Sequence, residues 1–147
     1  MTIPAAGQPI VQKADFVTLL QPRAALEALL RAAPAAPAEQ LVILGIDVVG
    51  LKQVNETDGF LAGDRLLAEA AAALTAATPT AALRARLGGD ELVAVFTGAT
   101  AAAAAAAASN TLRAHAHPTL RCGSVIRQPD EPPPQLLERL YAAIRSG

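Results

Sequence analysis

Apolar positions along this chain change rhythm several times, and each change marks an element. Leu26, Leu29 and Leu30 share one face of a helix expected to start near Pro22, and Pro34-Ala35-Ala36-Pro37 would end it. The run Leu41 to Ile46 is apolar at every side chain, as expected of a central strand covered on both faces. A helix from about Gly63 through Leu74 follows. The apolar runs Ala81 to Leu87 and Leu92 to Phe96 then flank Gly88-Gly89, a pair that predicts a hairpin with a two-residue turn needing positive φ at both positions. An alanine-rich helix is expected from about Ala99 to Ala114, and a strand near Leu120 to Arg127. Past a proline-rich loop at Pro129 to Pro134, Leu136, Leu137, Leu140, Tyr141 and Ile144 recur at amphipathic helical spacing. The pattern predicts an α/β domain with a βαββαβ core. Residues 1–14, with Pro4, Gly7 and Pro9, read as a flexible N-terminal linker.

Composition narrows this picture only slightly. The 147 residues suit one domain, and 52% apolar residues supply a substantial core. With 12 basic and 13 acidic side chains the net charge is −1, so no global attraction to a nucleic-acid polymer or a membrane surface is expected. The sole cysteine, Cys122, excludes an internal disulfide, fits a reducing compartment and is read as a small buried apolar residue. Met1 to Gln12 lacks the basic start and apolar centre of a signal peptide, and the longest apolar run, Ala101 to Ala108, is alanine, so a cytoplasmic protein without a membrane segment is expected. His115 and His117, beside Pro118, lack nearby acid or thiol ligands, and no metal role is assigned to them.

The candidate chemistry lies in the acids. Asp90 and Glu91 follow the Gly-Gly pair directly, and Asp47 ends the strand-like run upstream, which points to a divalent-metal site. Between these acids come Lys52, Asn55 and the pair Gly63-Asp64, in the segment Asp47-Val48-Val49-Gly50-Leu51-Lys52-Gln53-Val54-Asn55-Glu56-Thr57-Asp58-Gly59-Phe60-Leu61-Ala62-Gly63-Asp64. Farther upstream stands Asp15-Phe16-Val17-Thr18-Leu19-Leu20-Gln21-Pro22-Arg23. In order and spacing these pieces resemble the GGDEF family of diguanylate cyclases over roughly residues 15–147.

That resemblance implies a palm-like domain with a central, mainly antiparallel sheet flanked by helices. It also implies condensation of two GTP into cyclic di-GMP and pyrophosphate, by attack of a ribose hydroxyl on the α-phosphate assisted by Mg2+ or Mn2+. Asp47 and Asp90 would ligate the metal, and Glu91 would ligate a second ion or help deprotonate the hydroxyl. Gly88 and Gly89 would let the backbone approach the nucleotide. Asn55 and Asp64 would read guanine, whose donors suit a carboxylate. Lys52 would contact phosphate, and Leu20 would join the apolar floor beneath the base. The implied partners are GTP, a second GGDEF domain facing the first in a homodimer, and a fused or separate sensory or effector domain, for which residues 1–14 are too few.

The chain departs from the family pattern at several points. Leu92 stands for phenylalanine, Phe60 for histidine and Val49 for a second acid. Pro79-Thr80-Ala81-Ala82 occupies the family's Arg-x-x-Asp product-inhibition positions, so inhibition through that site is not expected. Ile144 replaces a phosphate-binding lysine, and Gly147 is reached before the arginine that follows it in the family. The alternative reading is therefore a degenerate domain of weak or no activity that binds GTP or GDP and regulates a partner.

Overall fold

The computed structural model describes residues 14–32 and 40–147, so most of the expected linker and the expected helix stop at Pro34–Pro37 lie outside the described residues. Among the described residues, five helices and four strands follow in the order α1 (Arg23–Ala32), β1 (Leu41–Val48), α2 (Leu51–Asp58), α3 (Phe60–Ala77), β2 (Leu83–Arg86), β3 (Glu91–Thr97), α4 (Ala101–Arg113), β4 (Leu120–Ile126) and α5 (Pro133–Ser146). The strands form one sheet in the order β2-β3-β1-β4, antiparallel throughout. The expected mixed α/β architecture is what is found.

Strand alternation divides the core into two layers. Val42, Leu44, Ile46 and Val48 of β1 point to one face, where α3 and α4 cover them with Leu67, Leu74, Ala105 and Leu112. Leu41 and Ile43 point to the other, where α1 and α5 close over them with Leu26, Leu30, Leu136 and Leu140. This two-sided cover explains why β1 reads as an uninterrupted apolar run although its neighbours are antiparallel. The alanine run of α4 also finds its reason here: Ala101, Ala105 and Ala108 are buried one turn apart, and their small side chains let the helix lie close to the sheet.

Two elements differ from the sequence reading. The stretch between β1 and the expected helix at Gly63 contains a separate helix, α2, and the next helix begins at Phe60. Gly50 and Gly59 bracket α2 with φ of 83° and 89°, conformations that few other residues adopt. The second difference is the Gly88-Gly89 connection. Neither glycine lies in the left-handed region, so the predicted primed turn is absent. The strands are instead joined by Leu87–Asp90, closed by the Leu87 N–H donating to the Glu91 carbonyl at 2.9 Å. Among the described residues, no helix is long and apolar enough to cross a membrane.

Candidate functional site

The end of β1 gathers the acids. In the β1–β3 register Asp47 stands opposite Glu91, and the Val48 N–H donates to the Asp90 carbonyl at 3.1 Å. Backbone pairing alone thus places the Asp47, Asp90 and Glu91 carboxylates at one sheet edge. Glu91 folds back under the connection, its Oε2 accepting the Asp90 N–H at 3.2 Å.

Crowding three acids in a half-buried place alters their protonation. Burial, reinforced by Asp90, pushes Asp47 up to about 6. Burial and the same neighbour push Glu91 up to about 7. Asp90 itself is held below the usual carboxylate range, first by its hydrogen bond with Glu91. Asp47 Oδ1 is buried with no hydrogen-bond partner, an expensive condition for a carboxylate oxygen. An orphaned oxygen beside mutually repelling acids fits a hard divalent cation. Among the described residues no three acid, imidazole or thiol groups form a ready-made cage. So sparse a donor set suits a cation that takes one or two carboxylates and completes its shell with phosphate and water, as Mg2+ does.

The protonation shifts carry a stability consequence. In metal-free protein the folded state holds more protons on Asp47 and Glu91 than the unfolded chain does between about pH 4 and pH 7. Stability from these groups is therefore full at acid pH and falls as pH rises through 6 and 7. Asp47→Asn removes part of the repulsion, so with chelator present it is expected to be more stable than the parent by about 1 kcal/mol at pH 8, after discounting for partial exposure. That advantage should shrink toward pH 4, and thermal melts across the range would check it. A variant less stable at pH 8 would contradict the charge reading.

A cavity of about 340 Å³ opens beside the acids, lined by Lys52, Asn55, Asp64, Gly89 and Asp90 among others. Its walls include Leu51 and Leu67, and Phe60, 76% exposed, stands at its rim. Helices α2 and α3 place the polar groups, since α2 carries Lys52 and Asn55 while α3 carries Asp64. Gly63 is what allows the two helices to mesh here: a Cβ on it would lie 1.7 Å from Asn55 Oδ1. Gly89 has the opposite surroundings, with nothing within 4 Å of where a Cβ would be, so its backbone faces open space.

Of the residues singled out in the sequence, Lys52, Asn55, Asp64, Gly89 and Asp90 line one cavity. Asp47 and Glu91 sit at the strand ends, and Gly88 packs over Glu91, with an added Cβ falling 2.8 Å from Oε2. Leu20 is not brought there. It is buried in the core and borders a separate groove with Gln21, Thr75 and Ala81. Ile144 is likewise a core residue, 3% exposed and packed over Gly45. His117 faces Glu69 at 3.7 Å on the surface, and Cys122 is fully buried.

The sequence reading gave no role to Arg86 or Asp15, which hold the connection in shape. Arg86 donates to the Gly88 and Gly89 carbonyls, at 3.2 and 2.8 Å, and to the Asp15 carboxylate at 3.2 Å. Asp15 in turn accepts from the Thr18 N–H and hydroxyl, at 2.9 and 2.8 Å, docking the segment before α1 onto the hairpin. The available signal was charge: an arginine ending a strand just before a glycine pair offers five donors to carbonyls that such a tight connection leaves unpaired.

Comparison with known proteins adds an independent observation. The family model for the diguanylate cyclase GGDEF domain matches residues 12–125. An uncharacterised signaling protein of Caulobacter vibrioides is 43% identical over 60 residues, a stretch covering 41% of this chain and 7% of that relative. Among solved structures, diguanylate cyclase SiaD of Pseudomonas aeruginosa, in complex with its activator SiaC, is 27% identical, with TM-score 0.76 over 91% of this chain and 58% of that one. The GGDEF domain of Caulobacter crescentus DgcB, in complex with c-di-GMP, shares the fold at 20% identity, TM-score 0.77, over 95% of this chain and 91% of that chain. The FimX GGDEF domain of Pseudomonas aeruginosa does so at 24% identity, TM-score 0.76, over 93% and 96%.

Proposed function

This chain belongs to the diguanylate cyclase GGDEF domain family, and from that premise we propose that residues 15–147 form a cytoplasmic GGDEF domain that condenses two GTP into cyclic di-GMP and pyrophosphate. The observation that carries the proposal is the convergence of Lys52, Asn55, Asp64, Gly89 and Asp90 on one cavity, at the end of the strand that bears Asp47.

Each residue then has a physical task. Asp47 and Asp90 would hold Mg2+ or Mn2+, and Glu91 would either join a second ion or help deprotonate the attacking hydroxyl. Bound there, the cation would neutralise the charge that builds on the α-phosphate and the leaving pyrophosphate. Glu91, with its carboxyl pushed up to about 7, is matched to accept the proton of the attacking ribose hydroxyl near neutral pH. Asp64 accepts from the guanine donors and Asn55 supplements that pattern, while adenine would leave the carboxylate without its partner. Lys52 contacts phosphate, and Gly88 and Gly89 leave the backbone accessible to the nucleotide. Leu20 is buried away from this cavity, so no contact with the base is proposed for it.

One domain holds one GTP, so joining two requires a second copy facing the first across a two-fold axis. The test is magnesium-dependent GTP conversion by the chain fused to a dimeric coiled coil, with products separated chromatographically. Cyclic di-GMP is expected; its absence from a folded, forced dimer that still binds GTP would leave the second reading, a regulatory GTP- or GDP-binding module acting on a sensory or effector domain. The burial of Ile144, which leaves no cation at that position of α5, favours that second reading.

Base recognition can be tested apart from turnover. Gly63→Ala forces the Asn55 amide out of place, because the new Cβ would fall 1.7 Å from Oδ1. The change also replaces a helical glycine, which by itself favours the helix by about 0.5–1 kcal/mol. The variant is expected to stay folded while its GTP affinity falls about tenfold, as calorimetric titration would show. Unchanged affinity would remove Asn55 from the guanine site.

A further inference from the structure

We propose that Arg121 binds the polyphosphate of the nucleotide, supplying beside Asp47 the positive charge that Ile144 on α5 does not. The inference rests on the nucleotide-binding reading above and adds a residue to it. Register comes first: in the β1–β4 pairing Arg121 stands directly opposite Asp47, as Glu91 does from β3 on the other side. Residues directly opposite on antiparallel strands project to the same face, with Cβ atoms about 5 Å apart. Glu91, Asp47 and Arg121 therefore form a row across three strand ends, two acids followed by a cation. A metal held by the acids carries phosphate oxygens, and the next position along the row holds a guanidinium, the group suited to bidentate contact with them.

The state of the surrounding cations supports the assignment. Arg86 is engaged by Asp15 and by the carbonyls of the connection, and Arg23 by Glu27 at 2.8 Å. Arg121 is exposed and, among the described residues, makes no side-chain hydrogen bond or ion pair, so its donors are open to a ligand. Helix α5 offers nothing equivalent at Ile144, whose side chain is committed to the core over Gly45. The rival is Arg145, exposed in the last turn of the same helix.

The experiment compares binding of GMP, GDP and GTP with magnesium by calorimetry, for the parent chain and for Arg121→Gln, Arg121→Lys and Arg145→Gln. In the parent, affinity should climb from GMP to GTP. Arg121→Gln should flatten that climb, costing GTP about tenfold or more and GMP little, and Arg121→Lys should restore part of it. A general disturbance of the strand would weaken all three nucleotides alike, and that result overturns the proposal. So does a flattened climb in Arg145→Gln with Arg121→Gln unchanged, which would assign the role to α5. If the folded parent binds none of the three, the nucleotide reading itself fails, and the proposal fails with it.

Discussion

Asp90→Ala is expected to reduce cyclic di-GMP formation by at least about a thousandfold while leaving the chain folded and able to bind GTP. The argument starts from the strand ends, where Asp47 is paired in register with Glu91 and Asp90 precedes Glu91 directly. Asp90 is the acid of the three held below the usual carboxylate range, so it is the one ionised over the widest span of pH. A ligand that stays anionic is the one whose loss most weakens a cation at this edge. A thousandfold loss corresponds to about 4 kcal/mol of transition-state stabilisation, within reach of one metal ligand. Guanine contacts should survive, because Asn55 and Asp64 come from α2 and α3 rather than from the hairpin. Steady-state assays of the forced dimer, paired with nucleotide titration, separate the two effects. A variant that keeps a tenth or more of the parent rate would exclude Asp90 as a metal ligand in turnover.

What the sequence made legible follows from where the physics is local. β1 could be read because the six residues Leu41 to Ile46, buried between two layers of helices, leave an unbroken apolar run with Asp47 directly after it. The hairpin could be placed because a glycine pair between apolar runs has few other uses. Its geometry could not, since the connection is shaped by Arg86 gathering the Gly88 and Gly89 carbonyls and by Asp15 anchoring Arg86. These are contacts between residues far apart in the chain. Helix α2 escaped for a related reason. Its eight residues contain only Leu51 and Val54 as apolar anchors and include asparagine, threonine and aspartate, weak helix formers. It is held by packing against α3 and by the glycines at its ends, with no side-chain cap.

The site divides the same way. That Asn55, Asp64 and Asp90 would share one cavity, with Asp47 at the neighbouring strand end, could be expected from spacing, because spacing encodes which elements end at the same place. Leu20 could not be placed that way, because the segment before α1 turns at Leu19, with φ of 61°, and sends Leu20 into the core. The place of Arg121 beside Asp47 was invisible for another reason. A lone arginine in a strand carries no signal until β4 is known to pair with β1 and the register sets it opposite Asp47.

Gly123→Ala is expected to destabilise the domain by about 3 kcal/mol or more, the largest stability effect of any change considered. Gly123 on β4 and Gly45 on β1 are paired directly, making a flat place in the sheet on which α5 rests. A Cβ on Gly123 would lie 2.3 Å from the Ala143 carbonyl carbon and 2.5 Å from the Ile144 nitrogen, both backbone atoms that no rotamer change can move. The whole helix would have to lift, loosening Leu136, Leu137, Leu140 and Ile144 from the second core layer. Overpacking of cores costs about 1–3 kcal/mol even where side chains can adjust, and here they cannot. Gly45→Ala is the informative comparison. Its Cβ would meet Ile144 Cδ1 at 2.5 Å, the far end of a flexible side chain, so the cost should stay near 1–2 kcal/mol. Denaturant unfolding of both variants gives the order directly, and a Gly123→Ala protein as stable as Gly45→Ala would contradict the close seating of α5. The same seating bears on function. A helix resting on paired glycines turns position 144 into the core, so Ile144→Lys should destabilise the fold rather than supply a phosphate contact. Position 144 therefore cannot supply the nucleotide's second cation beside Lys52 of α2, which is the role proposed for Arg121 on β4.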